Sequence, residues 1–183
     1  MDFPTHTVET APEAARPLLA EAEKAAGFVP NLYGVMAEAP ALLEGYRALS
    51  QIFEKTSLSP IERQIVLLAI SAENGCAYCV AAHSMIAAKA GVAGEAIEAI
   101  RDGHAIAEPR LEALRRFVET LVRTRGWPAD ADVEAFLGGG FSRAQILEVI
   151  LAVGYKTLSN YTNHLAHTPL DQAFAKARWS KAA

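Results

Sequence analysis

Apolar residues recur every three or four positions along most of this chain, which is the period of an α-helix that buries one face. The spacing predicts helices over residues 16–26, 41–55 and 109–126, and the last of these carries a single apolar stripe. No segment alternates apolar and polar residues over the length of a strand, so the pattern predicts no β-sheet. We therefore expect an all-α protein.

Two helix starts are marked by a serine that is followed three positions later by a glutamate or glutamine, the pattern of a capping box. Ser59 precedes Glu62 in this way, and Ser142 precedes Gln145. The first pair predicts the start of a helix in the middle of the chain. The second predicts a long final helix that begins after the glycines at 138–140.

Two predicted helices, over residues 61–72 and 76–90, are apolar on nearly every face. Such helices have little polar surface to present to water, and they are usually central elements of a fold. We expect both to be covered by other helices or by a second subunit. A short helical segment follows them from about Gly94.

Length and charge narrow the possible functions. With 183 residues, of which 51% are hydrophobic, the chain can form one compact domain. We expect a single helical bundle over 1–183, with 1–15 as an extended N-terminal arm. The net charge of -4, without a basic stripe, argues against nucleic acid as a partner. The longest strongly apolar stretch is too short to span a membrane, and the N-terminus lacks a signal peptide, so we expect a cytoplasmic protein.

The candidate chemistry lies in the stretch GCAYCVAAH, which holds both cysteines of the chain. Each helical residue turns by about 100°, so Cys76, Cys79 and His83 are expected on one side of their helix. Cysteines on one helical turn lie close enough to form a disulfide. Cys76 is expected in the first turn, where the helix dipole favours a thiolate. The His83 imidazole is able to accept or return a proton.

The segment Ser71–His83 resembles the signature of the alkyl hydroperoxidase D-like branch of the carboxymuconolactone decarboxylase family. The segments 58–71 and 157–171 resemble its peroxidase-related subgroup. This resemblance implies an all-helical homo-oligomer, a trimer or hexamer, that reduces a small hydroperoxide through the cysteine pair. An external dithiol would restore the thiols, and no cofactor is implied. By the same resemblance, Cys79 attacks the peroxide, Cys76 resolves the intermediate and His83 belongs to a proton relay.

One position departs from the family pattern. Active members carry a glutamate twelve residues before the first cysteine, where this chain has Gln64, and an amide cannot carry a proton. Glu73 is the nearest other carboxylate, but nine residues of regular helix separate it from Gln64 and place it on the opposite face. The Glu73 side chain reaches the sulfurs only if the turn at Asn74 and Gly75 directs it toward them. Otherwise it is a carboxylate exposed to solvent.

Three further side chains are candidates for the pocket wall. Tyr78, between the cysteines, either faces the pocket or packs at a subunit contact. Asn160 and His164 belong to the polar half of the last helix, and they line either the pocket or a subunit contact. The resemblance supports both positions without deciding between these alternatives.

Other functions remain open at the level of the sequence. A zinc site could use the two cysteines and His83, but the chain has no second cysteine pair to complete it. Loss of the family glutamate favours a slow redox sensor without rapid turnover. A decarboxylase or lactone-processing enzyme is suggested by the family name, although that chemistry does not require a dithiol.

Overall fold

A computed structural model describes residues 2–181, which fold as a single helical domain without strands. Within that range there are nine α-helices and two short 3-10 helices, Glu13–Ala15 and Gln172–Ala177. The α-helices are α1 (Arg16–Ala26), α2 (Asn31–Met36), α3 (Pro40–Phe53), α4 (Pro60–Glu73), α5 (Ala77–Lys89), α6 (Gly94–Asp102), α7 (Pro109–Arg123), α8 (Asp130–Gly138) and α9 (Arg143–Ala166). The all-α prediction is confirmed.

Helix α4 is the centre of the bundle and contacts α5, α6, α7 and α9. Ten of its fourteen residues are buried, which confirms the expectation drawn from its apolar faces. Helix α5 packs beside it, and most of its first two turns are also buried. The site described below lies between these two helices and α9, so its side chains are surrounded by the protein core.

Both predicted capping boxes are present. The Ser59 hydroxyl accepts the backbone N–H of Glu62, and the Glu62 carboxylate accepts the N–H of Ser59. Ser142 and Gln145 make the same pair of bonds at the start of α9. Each box satisfies backbone donors that the first helical turn leaves free, which fixes where the helix begins.

Helix α8 is not predicted by the sequence pattern. It is short, lies between a proline and a glycine run, and buries only Phe136 fully. Phe136 stacks between Phe117 and Phe141, with ring centroids 4.3 and 4.5 Å away. Tertiary packing of this one ring, rather than a long apolar stripe, therefore holds α8 in the bundle.

The N-terminal segment crosses α2 at close range. The His6 N–H donates to the Gly34 carbonyl, and a Cβ added at Gly34 would lie 2.6 Å from the His6 oxygen. Only glycine permits this approach of the two backbones.

No single helix among residues 2–181 is both long and apolar enough to span a membrane, and α8 and α9 meet these two conditions only as a pair bent by 112°.

Candidate active site

A tight turn between α4 and α5 positions the cysteine pair. Gly75 has φ +68, a conformation that L side chains rarely adopt. The following residue, Cys76, is extended and caps α5 from outside its first turn, which corrects the expectation that it lies within that turn. Its N–H donates to the Ser71 carbonyl at 2.9 Å. Cys79 then falls in the first turn of α5, facing the core.

The two sulfurs lie together and share one amide donor. The Asn163 Nδ2 is 3.2 Å from the Cys79 sulfur and 3.7 Å from the Cys76 sulfur. Both cysteines are free thiols, both are buried, and their side chains are hydrogen bonded to each other. This arrangement holds the pair side by side, as a reversible disulfide requires.

The pKa values of the two thiols are shifted in opposite directions. The hydrogen bond with Cys79 and burial raise the pKa of Cys76 above its usual range. Burial opposes ionisation of Cys79 too, but the hydrogen bond from Cys76 and the charge of Lys156 hold the Cys79 pKa well below its ordinary value. Ser159 and Asn160 contribute to the same lowering. These opposite shifts favour ionisation of Cys79 over that of Cys76.

His83 lies one turn beyond Cys79 and is held from both sides of its ring. Its Nδ1 is 3.3 Å from the Gln64 Oε1, and its Nε2 is 2.9 Å from the Lys156 Nζ. An amide oxygen accepts and an ammonium donates, so Nδ1 carries the proton and Nε2 accepts from Lys156. Burial and the nearby charge of Lys156 hold the His83 pKa well below its usual value. The imidazole is consequently neutral.

A cavity of about 220 Å³ opens above Cys79. Its walls are mostly aromatic and aliphatic, and the side chains of Glu54, Gln64, His83 and Lys156 add polar and charged groups. The lining residues include Tyr33, Tyr46, Phe53, Gln64, Tyr78, Cys79, His83, Tyr155, Lys156 and Phe174. The Tyr155 hydroxyl donates to that of Tyr46 at 3.1 Å. The cavity can hold a small, largely apolar molecule against the sulfur.

Tyr78 faces this cavity and is joined to the C-terminal segment. Its hydroxyl donates to the Asp171 carboxylate and accepts the Leu32 N–H at 3.3 Å. Asp171 also accepts the Asn31 N–H at 3.1 Å. The ring of Phe174 packs edge-on against Tyr78, with centroids 6.2 Å apart. The segment that follows α9 thus forms one wall of the cavity.

Glu73 does not lie at the sulfurs, which corrects the expectation that it reaches them. It lines a separate groove beside Arg115 and Glu119, and its carbonyl accepts a bond from Lys181 at 3.0 Å. The reason is helical geometry: α4 stays regular to its last turn, so Glu73 points away from the face that carries Gln64.

The polar half of α9 contributes four buried side chains, spaced three and four residues apart. They are Lys156, Ser159, Asn160 and Asn163. Asn160 is buried and accepts a bond from Asn74 at 2.8 Å, but it does not line the cavity. His164 is exposed and stacks on Tyr161, so it does not line the cavity either, and a place at a subunit contact stays a prediction.

Sequence reasoning missed Lys156, Asn163 and Asp171. The helical spacing of the buried α9 residues was a usable signal for the first two, because 156, 159, 160 and 163 define one face. Asp171 lies 93 residues from Tyr78 along the chain, and no local pattern joins them.

A zinc ion would meet an unsuitable set of groups here. Both His83 ring nitrogens are already bonded, and the Lys156 ammonium would repel a cation. Among residues 2–181, no three His, Cys, Asp or Glu side chains are placed to bind a metal.

The helical fold is similar to that of known alkylhydroperoxidase-related proteins. Residues 38–120 match the model of the carboxymuconolactone decarboxylase family. This match includes both cysteines and His83, and it supports the resemblance seen in the sequence. No curated protein sequence matches the chain significantly.

Solved structures share the fold over nearly the whole chain. The alkylhydroperoxidase AhpD core of Ralstonia eutropha JMP134, a peroxidase-related protein, is 24% identical, with a TM-score of 0.84 over 98% of this chain and 97% of that one. A peroxidase-related protein from Silicibacter sp. TM1040 is 19% identical, with a TM-score of 0.80 over 95% and 92%. A cysteine-to-alanine variant of the debrominase Bmp8, in complex with 2,3,4-tribromopyrrole, is 15% identical, with a TM-score of 0.74 over 97% and 95%. At these identities the likeness concerns the fold.

Proposed function

We propose that this chain is a thiol-dependent peroxidase that reduces small hydroperoxides through Cys79 and Cys76. One observation carries the proposal: two buried thiols share the Asn163 amide, and one of them, Cys79, lines a largely aromatic cavity; their pKa values are shifted in opposite directions. A buried thiolate beside a neutral thiol is what attack and resolution by two different sulfurs require.

The proposed cycle has three steps. The Cys79 thiolate attacks the outer oxygen of the hydroperoxide, the O–O bond breaks, and the alcohol or water leaves after gaining a proton. The Cys79 sulfenic acid then condenses with the Cys76 thiol, which forms a disulfide and releases water. An external dithiol reduces the disulfide and regenerates both thiols. This need for a dithiol agrees with the expected cytoplasmic location, where thiols are kept reduced.

Thiol titration tests the cycle directly. One equivalent of cumene hydroperoxide added to the reduced protein is expected to consume both thiols and to yield one equivalent of cumyl alcohol. The readouts are free thiol by a chromogenic disulfide and alcohol by chromatography. The Cys76→Ser protein is the matched control, because it should still form one alcohol without forming an internal disulfide. An unchanged thiol content in the wild type would contradict the proposal.

A slow redox sensor would give the same titration result, because a single oxidation of its cysteine pair also consumes both thiols. Steady-state turnover separates the two functions: a peroxidase consumes many equivalents of hydroperoxide when dithiothreitol is supplied. A decarboxylase or lactone-processing activity would leave the thiols untouched during its reaction. The titration followed by turnover therefore distinguishes all three.

Reductive dehalogenation is a second candidate function. The aromatic walls of the cavity suit a small flat ring above Cys79, and the debrominase Bmp8 shares the fold. In that reaction the two thiols would supply two electrons to a carbon–bromine bond, giving bromide, a proton, the reduced ring and the disulfide. Bromide release from a bromopyrrole, with the loss of two thiols for each bromide, would favour this candidate over the peroxidase.

We also propose that the chain forms a homo-oligomer through α9. Leu147, Ile150, Tyr161 and Leu165 are exposed on this helix, and Leu165 keeps 71% of its surface accessible. Apolar side chains grouped in this way mark an interaction surface. Because the family resemblance implies a trimer or hexamer, a second copy of the chain is the expected occupant.

Charge on that surface should dissociate the oligomer. The double variant Leu147→Lys, Leu165→Lys is expected to sediment as a 19.6 kDa monomer, while the wild type sediments as a multiple of that mass. The control Lys24→Glu alters charge on the exposed face of α1 and should leave the mass unchanged. A monomeric wild type would refute the proposed assembly.

A further inference from the structure

Lys156 is a fully buried cation without a carboxylate partner. Its side chain has 0% exposure, and its Nζ contacts the His83 Nε2 at 2.9 Å and lies 5.7 Å from the centre of the Tyr155 ring. None of the salt bridges in residues 2–181 involves it. A buried ammonium is costly unless an anion compensates its charge. The structure must therefore provide another anion.

Cys79 is the group that meets this requirement. It lines the same cavity as Lys156, and both side chains project into the space between α5 and α9. The charge of Lys156 is among the causes that favour the Cys79 thiolate. The Asn163 amide donates to the Cys79 sulfur at 3.2 Å, closer than to the Cys76 sulfur at 3.7 Å, and the opposite pKa shifts of the two thiols also favour Cys79 as the anion.

His83 has a different part in this arrangement. Its Nδ1–H donates to Gln64, and its Nε2 accepts from Lys156, so the ring is neutral and both nitrogens are occupied. In this state it cannot donate a proton toward the sulfurs from Nε2. It does hold the lysine in place. Gln64 suits this role better than a glutamate would, since a carboxylate at Nδ1 would favour the charged imidazolium beside a second cation.

We propose that Lys156 is the counter-ion of the Cys79 thiolate and the acid that protonates the leaving oxygen, with Gln64 and His83 as the positioning residues that orient it. The acid role rests on the proposed peroxidase function, whereas the ion pair does not. Gln64 thereby belongs to a lysine-based site in place of the glutamate relay that the family resemblance suggests.

In the proposed cycle, Lys156 donates and accepts the proton at each step. After the thiolate attacks, the alkoxide takes a proton from the ammonium and leaves as the alcohol. The neutral amine then takes the Cys76 thiol proton, Cys76 attacks the sulfenic acid, and the departing hydroxide takes that proton to become water. Reduction of the disulfide by an external dithiol supplies two electrons and two protons, which restore the Cys76 thiol, the Cys79 thiolate and the ammonium.

Few other charged groups lie near Lys156 and Cys79. The titratable side chains around them are Cys76 just before α5, Tyr78 and His83 on α5, Tyr33 on α2, Tyr46 on α3, Glu54 just after α3 and Tyr155 on α9. Burial raises the pKa of Tyr155 to about 12 and that of Tyr46 well above its usual value, so these phenols stay neutral. Glu54 lies at the exposed edge of the cavity and pairs with Arg63 at 3.4 Å.

The first test measures the thiolate by its absorbance at 240 nm as a function of pH. The reduced wild type should keep the signal from pH 8 to pH 6, because the Cys79 pKa is well below its ordinary value. Lys156→Met should lose it at neutral pH, and alkylation of Cys79 by monobromobimane at pH 7 should slow by at least about tenfold, one pKa unit. The Cys79→Ser protein assigns the signal, and Lys89→Met, on the exposed face of α5, is the matched control.

The ion pair is refuted if Lys156→Met retains the wild-type signal and alkylation rate. Methionine keeps the length of lysine and removes its charge, so the variant is expected to fold, with circular dichroism as the check. If Lys156→Met does not fold, a measurement on the wild type tests the arrangement instead. Nitrogen NMR of the His83 ring should report the neutral Nδ1–H tautomer from pH 8 to pH 5.5, and an imidazolium within that range would refute the arrangement.

The acid role is tested by the leaving group. At a pH where Cys79 is ionised in both proteins, Lys156→Met should react with cumene hydroperoxide about 100-fold more slowly than the wild type. Peracetic acid releases a weakly basic carboxylate that needs no proton, so its rate should change little. Equal losses for both oxidants would refute the acid role.

The outcomes separate this inference from the proposed function. A wild type that consumes no peroxide, yet whose thiolate depends on Lys156, would contradict the peroxidase and preserve the ion pair. A working peroxidase whose thiolate ignores Lys156 would contradict the ion pair alone.

Discussion

Replacement of Cys79 by serine is expected to reduce peroxide consumption to the uncatalysed rate. The hydroxyl of serine does not ionise near neutral pH, and burial still raises the pKa of the remaining thiol, Cys76. Loss of the attacking group therefore removes the whole rate enhancement, which is on the order of 10⁶-fold in an enzyme of modest power. Stopped-flow measurement with cumene hydroperoxide under single-turnover conditions gives the rate.

The Cys76→Ser protein is the matched control for this loss. It keeps the Cys79 thiolate and should complete the first step at a rate within about tenfold of the wild type, since it lacks only the thiol hydrogen bond. Without a resolving thiol, its sulfenic acid should persist and react with a dimedone probe on Cys79. A dimedone label on Cys76 in the Cys79→Ser protein would reverse the assignment of the two sulfurs.

Two physical effects enter the assignment of the cysteines, and both favour Cys79 once their positions are known. The helix dipole favours an anion in the first turn, and the sequence alone places Cys76 there. In the structure Cys76 stands outside that turn, while Cys79 lies inside it and lines the same cavity as Lys156. The dipole therefore acts in the same direction as the hydrogen bond from Cys76 and the charge of Lys156, which lower the pKa of Cys79.

Most of the fold could be predicted from the sequence, because local sequence patterns define most of its helices. The apolar faces of α4 and α5 predict that these helices are central, and the serines at 59 and 142 predict where two helices begin. The cysteine pair, with His83 one turn later, follows from helical spacing alone. The expectation for Glu73 fails because it required an irregular helix end to bring the side chain around.

The position of the charged residue Lys156 could not be predicted from the sequence in this way. A lysine in a helix is usually exposed, so composition gives no reason to bury Lys156. Its burial depends on the contact between α9 and α5, which joins residues 73 positions apart. His164 illustrates the same limit, because it differs from Asn163 by one position and by about 100° of rotation, and only Asn163 faces the sulfurs.

Replacement of Asp171 by alanine is expected to destabilise the protein and to open the cavity. The carboxylate accepts from two donors on different elements, the Asn31 N–H at the start of α2 and the Tyr78 hydroxyl on α5. Asp171 is buried, so neither donor can easily bond to water after the change. Leaving both unpaired should cost about 3 kcal/mol, or roughly 6–12 °C in Tm.

The same variant should weaken the binding of hydroperoxide. Asp171 immediately precedes the 3-10 helix Gln172–Ala177, whose Phe174 lines the cavity and packs against Tyr78. Once the carboxylate is gone, this wall is held chiefly by bonds from Arg101 to the carbonyls of Ala177 and Arg178. We expect KM to rise several-fold, while the alkylation rate of Cys79 stays close to that of the wild type.

A double-mutant cycle separates the effect on the wall from a general loss of stability. Tyr78→Phe removes the hydroxyl and keeps the ring against Phe174, so combining it with Asp171→Ala should give a coupling energy of at least about 1 kcal/mol. Glu148→Ala is the surface control: its carboxylate also accepts a backbone N–H, from Ser57 at 2.8 Å, but at an exposed position where water replaces the bond. If Asp171→Ala lowers Tm no more than Glu148→Ala does, the carboxylate is not what fastens the C-terminal segment, and the packing of Phe174 must hold that wall by itself.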